Sequence, residues 1–212
     1  MKKKLLSVLL ALSLMLTLLP AAALAASYSD TAAHWAESSI ERWSDYGIIQ
    51  GNNGAFLPDN NLTRAHMATI LAKLLKLPAA ESAGFTDVDS AAWYADAVNR
   101  CAAAGIMLGN AGKANPNATI TRAQAIVMLG RALGITPKAN ADLSGYEDAA
   151  AVPDYAKGYV AAMSEAGIVK GTSATTVSPM ASIDRAATVT ILDRAIGTYA
   201  NVDGAEITAA DS

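Results

Sequence analysis

The feature that most restricts how this chain folds is a unit written three times along it. The first copy reads Trp35-Ala36, Ile40, Trp43, Tyr46-Gly47-Ile48-Ile49-Gln50-Gly51, Pro58 and Thr63-Arg64-Ala65. The second reads Trp93-Tyr94, Val98, Cys101, Ala104-Gly105-Ile106-Met107-Leu108-Gly109, Pro116 and Thr121-Arg122-Ala123. The third reads Tyr155-Ala156, Val160, Met163, Ala166-Gly167-Ile168-Val169-Lys170-Gly171, Pro179 and Asp184-Arg185-Ala186. The central glycines stand 58 and 62 residues apart and the arginines 58 and 63. A unit of this size is marginal alone, so the three copies are expected to share one core.

Each copy predicts two helices. An aromatic and an acid open it (Tyr28 and Asp30, Phe85 and Asp87, Tyr146 and Asp148), as punctuation or cap for the first helix. That helix carries Trp35, Ile40 and Trp43, or their counterparts, as an approximate stripe, and Gly47, Gly105 or Gly167 ends it in the left-handed conformation. A polar loop with Pro58, Pro116 or Pro179 then reaches Thr63, Thr121 or Asp184, residue types that cap a helix N-terminus. The second helix places Met67, Ile70, Leu71, Leu74 and Leu75, then Ile126, Val127, Leu129 and Leu133, then Val189, Ile191, Leu192 and Ile196 in the core.

Residues 1–25 read as a secretory signal peptide: Lys2-Lys3-Lys4, an apolar run over 5–19, Pro20 and the small-residue site Ala23-Leu24-Ala25. Its removal leaves 13 basic against 19 acidic residues, a net charge of −6, with no basic cluster to bind nucleic acid. The lone Cys101 excludes an internal disulfide and reads as a buried small hydrophobe. His34 and His66 have no partner ligands in the pattern, so a metal site is not expected. The polar loop over 52–61 lacks the alternating acids of a calcium loop. No catalytic constellation stands out, so the chain is read as a non-enzyme without a cofactor.

With the aromatic-x-Asp opening, the Trp-containing helix, Gly-Ile-x-x-Gly, the loop proline and the Thr-Arg-Ala helix start on the page, the units resemble S-layer homology domains over residues 27 to 197. The resemblance implies an all-α fold of three helix-loop-helix repeats packed as a pseudo-threefold bundle. It also implies a secreted protein anchored at the bacterial cell wall by secondary wall polysaccharide, often through a pyruvylated amino sugar. The expected organisation is repeats at 27–78, 84–136 and 145–197, joined by linkers at 78–84 and 136–145. The tail over 198–212 reads as a linker to an absent domain or a truncated start of one. The fourth motif residue, usually Glu, is His66, Gln124 or Ala187, so only the second unit is expected to keep a capping box. The Phe of the loop survives only as Phe56, with Ala114 and Val177 in the other copies, and the third site is expected to be the weakest.

The candidate ligand-binding residues follow from the same alignment. Arg64, Arg122 and Arg185 come directly after the cap, where free backbone amides and the helix dipole are expected to join the guanidinium in holding a carboxylate. The competing reading pairs each arginine with Asp30, Asp87 or Asp148 as a staple between repeats. Trp35, Trp93 and Tyr155 are either sugar-stacking faces or core. Gly51, Gly109 and Gly171 either admit a ligand to the backbone or permit a turn. The partner is expected to be wall polysaccharide; the alternative is a protein-protein assembly module of a surface layer, with oligomeric state open.

Overall fold

The computed structural model describes residues 28–197; the expected signal peptide and the tail after residue 197 lie outside the described residues. Among the described residues six α-helices follow in order: α1 Glu37–Asp45, α2 Arg64–Leu74, α3 Ala95–Ala103, α4 Arg122–Ala132, α5 Asp154–Glu165 and α6 Arg185–Gly197, with a 3₁₀ turn at Ala149–Ala151 before α5. No strand pairs into a sheet among the described residues; only isolated bridges occur. The fold is all-α, as the resemblance implied.

The two helices of a repeat do not form the main packing pair. Instead α2 packs on α3, α4 on α5, and α6 on α1, so each second helix rests on the first helix of the next repeat and the last repeat closes on the first. The closure is reinforced where Asp193 of α6 accepts a bond from the Ser39 hydroxyl (3.2 Å) and pairs with Arg42 (3.2 Å) on α1. A repeat therefore finishes its core only with its neighbours in place, which is the physical reason three copies occur together.

The second helices form the centre. Along α4 every residue is buried except Gln124 and Arg131, as suits a helix that is apolar almost all round. At their N-terminal ends the pseudo-threefold axis is closed by a circuit of backbone hydrogen bonds. The Leu62 amide donates to the Ile183 carbonyl (3.0 Å), the Ile183 amide to the Ile120 carbonyl (3.2 Å), and the Ile120 amide to the Leu62 carbonyl (3.0 Å). These three side chains, each just before a cap residue, are all but completely buried. Isolated bridges Asn61 to Asp184, Thr63 to Thr119 and Thr121 to Ser182 knit the same loops.

Local signals act largely as expected. Gly47, Gly105 and Gly167 have φ near +70° and end α1, α3 and α5. Cys101 is buried, its thiol donates to the Ala68 carbonyl at 3.3 Å, and burial pushes its pKa up to about 12. Two expectations are corrected. Trp35 and Trp93 precede their helices rather than joining the buried stripe, and with Tyr155 they are 64%, 62% and 53% exposed. The first unit also keeps a capping box, because the His66 ring takes the place of a carboxylate: Nδ1 accepts from the Thr63 amide (3.3 Å) while the Thr63 hydroxyl accepts from the His66 amide (3.3 Å).

Candidate functional site

Each helix N-terminus that follows a Thr-Arg-Ala or Asp-Arg-Ala start is already filled. The amides of Arg64 and Ala65 donate to the carbonyls of Ala118 and Pro116, those of Arg122 and Ala123 to Ala181 and Pro179, and those of Arg185 and Ala186 to Asn60 and Pro58. The third amide in each helix is held by the side chain of Thr63, Thr121 or Asp184. The expected free amide end is thus corrected: these donors belong to the loop of the next repeat, whose carbonyls would otherwise be left without partners. What remains for an anion is the guanidinium.

The arginines do not pair with the three motif aspartates. Arg64 Nε donates to the Ala114 carbonyl at 2.7 Å and Arg122 Nη2 to the Lys170 carbonyl at 2.6 Å. Arg185 donates to the carbonyls of Phe56 and Gln50, both at 2.9 Å, with its guanidinium 4.4 Å from the Phe56 ring centroid. Each arginine thus grips the Gly-turn loop of the following repeat through carbonyls that carry no net charge, and its own charge is not cancelled there. Burial lowers all three pKa values from the ordinary guanidinium value; Tyr155 and Asp87 oppose this at Arg64, and Tyr28 and Asp30 at Arg185. Guanidinium groups nonetheless stay protonated.

Asp30, Asp87 and Asp148 clamp loops instead. Both oxygens of each carboxylate accept backbone amides: Phe56 and Leu57, Ala114 and Asn115, Val177 and Ser178, all at 2.7–2.9 Å. Burial pulls the pKa of Asp30 and Asp87 upward, but these amides outweigh it and hold both below the usual 3.8, with Arg185 assisting at Asp30 and Lys113 at Asp87. Neither the cap reading nor the arginine-pair reading describes what these carboxylates do.

The glycines serve the turn. A Cβ on Gly51 would stand 2.3 Å from the Ala55 carbonyl oxygen and 2.5 Å from the Tyr28 ring. At Gly109 it would meet the Phe85 ring at 2.5 Å and the Lys113 oxygen at 2.7 Å, and at Gly171 the oxygens of Ser173 and Thr176. The opening aromatic of each of the first two repeats lies against its own glycine, so that side is closed to any side chain, while Gly109 also lines the cleft beside Arg64.

Beside Arg64 a cleft of about 630 Å³ opens. Arg64 comes from the first repeat, and most of the lining, including Leu108, Asn110, Asn115 and Gln124, from the second. Tyr155, from the third repeat, supplies an exposed aromatic face. The cleft holds no acidic side chain. A related arrangement surrounds Arg185 of the third repeat: it binds the first repeat's loop, its charge acts on His66, and the His66 ring lies 5.2 Å from that of Trp93 in the second. Arg122 differs from the other two in being only 6% exposed.

Among the described residues no group of three or more His, Cys, Asp and Glu is placed to hold a metal ion. His34 Nδ1 accepts from the nearby Ala36 amide (3.2 Å), and its Nε2 lies 3.4 Å from Asp59 in the loop before α2. Arg131 was not among the residues singled out from sequence, although its place seven residues after Gln124, on the same helical face, was readable there.

The sequence model of the S-layer homology domain matches residues 27–68, 84–126 and 145–188, more than half of the chain. The surface-layer 125 kDa protein of Lysinibacillus sphaericus is 34% identical over 80% of this chain and 14% of its own length. An amylopullulanase of Thermoanaerobacterium thermosulfurigenes is 28% identical over 78% of this chain and 9% of its own. An S-layer protein of Bacillus thuringiensis subsp. finitimus is 30% identical over 79% of this chain and 21% of its own. The chain thus spans about a tenth to a fifth of these curated relatives. It belongs to the S-layer homology domain family, whose members anchor to the cell wall, and its place is the bacterial cell surface.

Proposed function

We propose that this chain is a non-catalytic anchor that holds an exported protein to secondary wall polysaccharide, gripping an acidic group of the polymer, in the first instance the carboxylate of a pyruvylated amino sugar. The observation that carries this reading is the Arg64 cleft: a guanidinium with no acidic side chain in the lining around it, an exposed phenol ring and amide groups from Gln124, Asn110 and Asn115, on a chain whose overall charge is negative. A planar fork recognises a carboxylate through two parallel bonds, while an aromatic face packs on sugar C–H groups. The net negative charge disfavours loose adhesion to an anionic wall, so retention falls to local contacts. The relatives named as surface-layer proteins and as an amylopullulanase match over this chain while most of each lies outside the match, which fits a module whose task is independent of the cargo.

The test is co-sedimentation with purified, protein-free walls before and after mild acid removal of ketal-linked pyruvate. Wild type is expected to pellet with intact walls and stay in the supernatant with treated ones. Arg64→Lys, which keeps the charge but loses the fork, is expected to lower retention at least tenfold with unchanged helical circular dichroism. Equal retention on both wall preparations would overturn the reading and favour assembly through protein contacts.

A further inference from the structure

The Arg64 cleft runs beyond the single cation that the motif supplies. Its floor follows one face of α4: Gln124, Val127, Met128 and Arg131 stand at positions i, i+3, i+4 and i+7 and all line it. These include both residues of α4 that are not buried, Gln124 and Arg131, so the polar surface the helix keeps open faces this cleft. The Arg64 backbone lies by the N-terminal end of α4, its amide bonded to the Ala118 carbonyl just before the Thr121 cap and its guanidinium to the Ala114 carbonyl, and Arg131 lies near the C-terminal end of α4. Seven residues of helix separate Gln124 from Arg131 by about 10 Å along the axis. Between the cations the floor is apolar, with Ile106, Met107, Val127 and Met128.

Arg131 is held loosely. Its one backbone contact, from Nη1 to the Ile106 carbonyl, measures 3.4 Å, and no carboxylate lies at ion-pair distance from either arginine among the described residues. A single acidic group needs one of these guanidinium groups. Two of them at opposite ends of a cleft with no acid in its lining fit a ligand that is anionic at both ends and apolar between, as a run of sugar rings is on its C–H faces. The matching position of α2 is Lys73, which lacks the planar fork, so the first repeat offers no copy of the arrangement.

We infer that the Arg64 cleft binds an extended stretch of glycan bearing two acidic groups about a disaccharide apart, one held by Arg64 and the second by Arg131. This rests on the wall-polysaccharide reading and adds to it the length and charge spacing of the ligand. The polymer is then gripped along its chain rather than at one residue, and Arg131 selects fragments by their second charge.

The probes are fragments of pyruvylated secondary wall polysaccharide sized to carry one ketal carboxylate or two, titrated calorimetrically into the whole exported chain. Wild type is expected to bind the two-acid fragment at least tenfold more tightly than the one-acid fragment, beyond the twofold that two equivalent ends give by counting. Arg131→Gln is expected to reduce that preference to about twofold while leaving the one-acid affinity and the melting temperature unchanged, and Arg131→Lys to restore part of it. A wild type without the preference, or an Arg131→Gln variant that keeps it, overturns this inference while leaving one-acid binding, and so the anchor reading, intact. Failure of both fragments to bind, with no loss of retention on pyruvate-free walls, overturns both. A fall in melting temperature with Arg131→Gln that Arg131→Lys repairs without restoring the preference assigns Arg131 to the Ile106 loop and also overturns it.

Discussion

Arg64 and Arg122 occupy the same motif position, yet one lines an open cleft and the other is sealed. Arg64 is half-buried and faces a groove with Gln124 and Tyr155; Arg122 is 6% exposed, and its Nε is buried without a hydrogen-bond partner. The difference comes from the next repeat. From Gly109 to Pro116 the loop that receives Arg64 takes seven steps, whereas from Gly171 to Pro179 the one that receives Arg122 takes eight. That longer loop folds on its own hydroxyls, with Thr172, Ser173, Thr176 and Ser178 bonded to one another. The third repeat also offers Ala187 where the second has Gln124, so it has no amide to place in the groove. Whether an arginine at this position faces an open cleft or is sealed follows its neighbour's loop.

The largest effect expected from breaking this contrast is on stability at Arg122. Arg122→Ala empties a buried volume and leaves the Lys170 carbonyl without its donor, a loss of about 2–4 kcal/mol. Arg122→Met, which keeps most of the volume, is expected to recover part of it, because replacing a buried charge by an apolar side chain costs less than leaving a gap. Arg64→Ala is expected to cost roughly half as much stability and to cause the larger loss of wall retention. Urea denaturation and wall co-sedimentation on the same preparations separate the two; retention that falls equally for both in proportion to stability would erase the contrast.

The repeat, the helix pairs, the glycine caps and the core residues were legible because they are set by signals within one copy. The interlocking was not. Nothing in a linear pattern says that α2 rests on α3 rather than on α1, or that Leu62, Ile120 and Ile183 pass hydrogen bonds around an axis, although an apolar residue before each cap residue was there to see. The same gap explains the misreading of the helix ends. The amides of Arg64 and Ala65 look free in any single repeat and are filled by residues more than fifty positions away. His66 was left out of a capping-box pair because the usual partner is a carboxylate or amide, yet an imidazole nitrogen is also an acceptor.

The aspartate clamps sharpen the comparison at the level of the loop. Asp87→Ala removes the acceptor for the amides of Ala114 and Asn115, and Ala114 is the residue whose carbonyl receives Arg64. A cost of roughly 1–3 kcal/mol is expected, with weaker wall retention because the carbonyl that positions Arg64 loosens. The carboxylate pKa lies below 3.8 in the fold, so this contribution is present above that pH and is lost as pH falls below it; the variant is expected to show the smaller decline in stability on acidification. Unchanged retention in a destabilised Asp87→Ala protein would separate the loop from the site.

The smallest expected effect distinguishes the first repeat from the second by pH. Gln124 and His66 close the same capping box, but only His66 titrates near neutrality. Its Nδ1 accepts from the Thr63 amide, so a proton there would remove the acceptor and place a cation at a helix N-terminus. Burial, and after it the charge of Arg185, lowers its pKa below 6.5; the facing rings of Trp93 and the hydroxyl of Thr63 are neutral. Of the charged groups on the packed helices, Asp96 and Arg100 of α3 pair with each other, and Arg122 and Arg131 of α4 are cations. Because the folded state favours the neutral ring, the stability it contributes is complete above pH 6.5 and declines as pH falls through the lower folded value. The melting temperature of wild type is expected to drop between pH 7 and 5 by no more than the loss of one cap, about 1 kcal/mol, and that of His66→Gln to stay flat over the same interval. The aspartate clamps titrate below this range, so equal slopes for the two proteins would show that the His66 cap is not formed in solution.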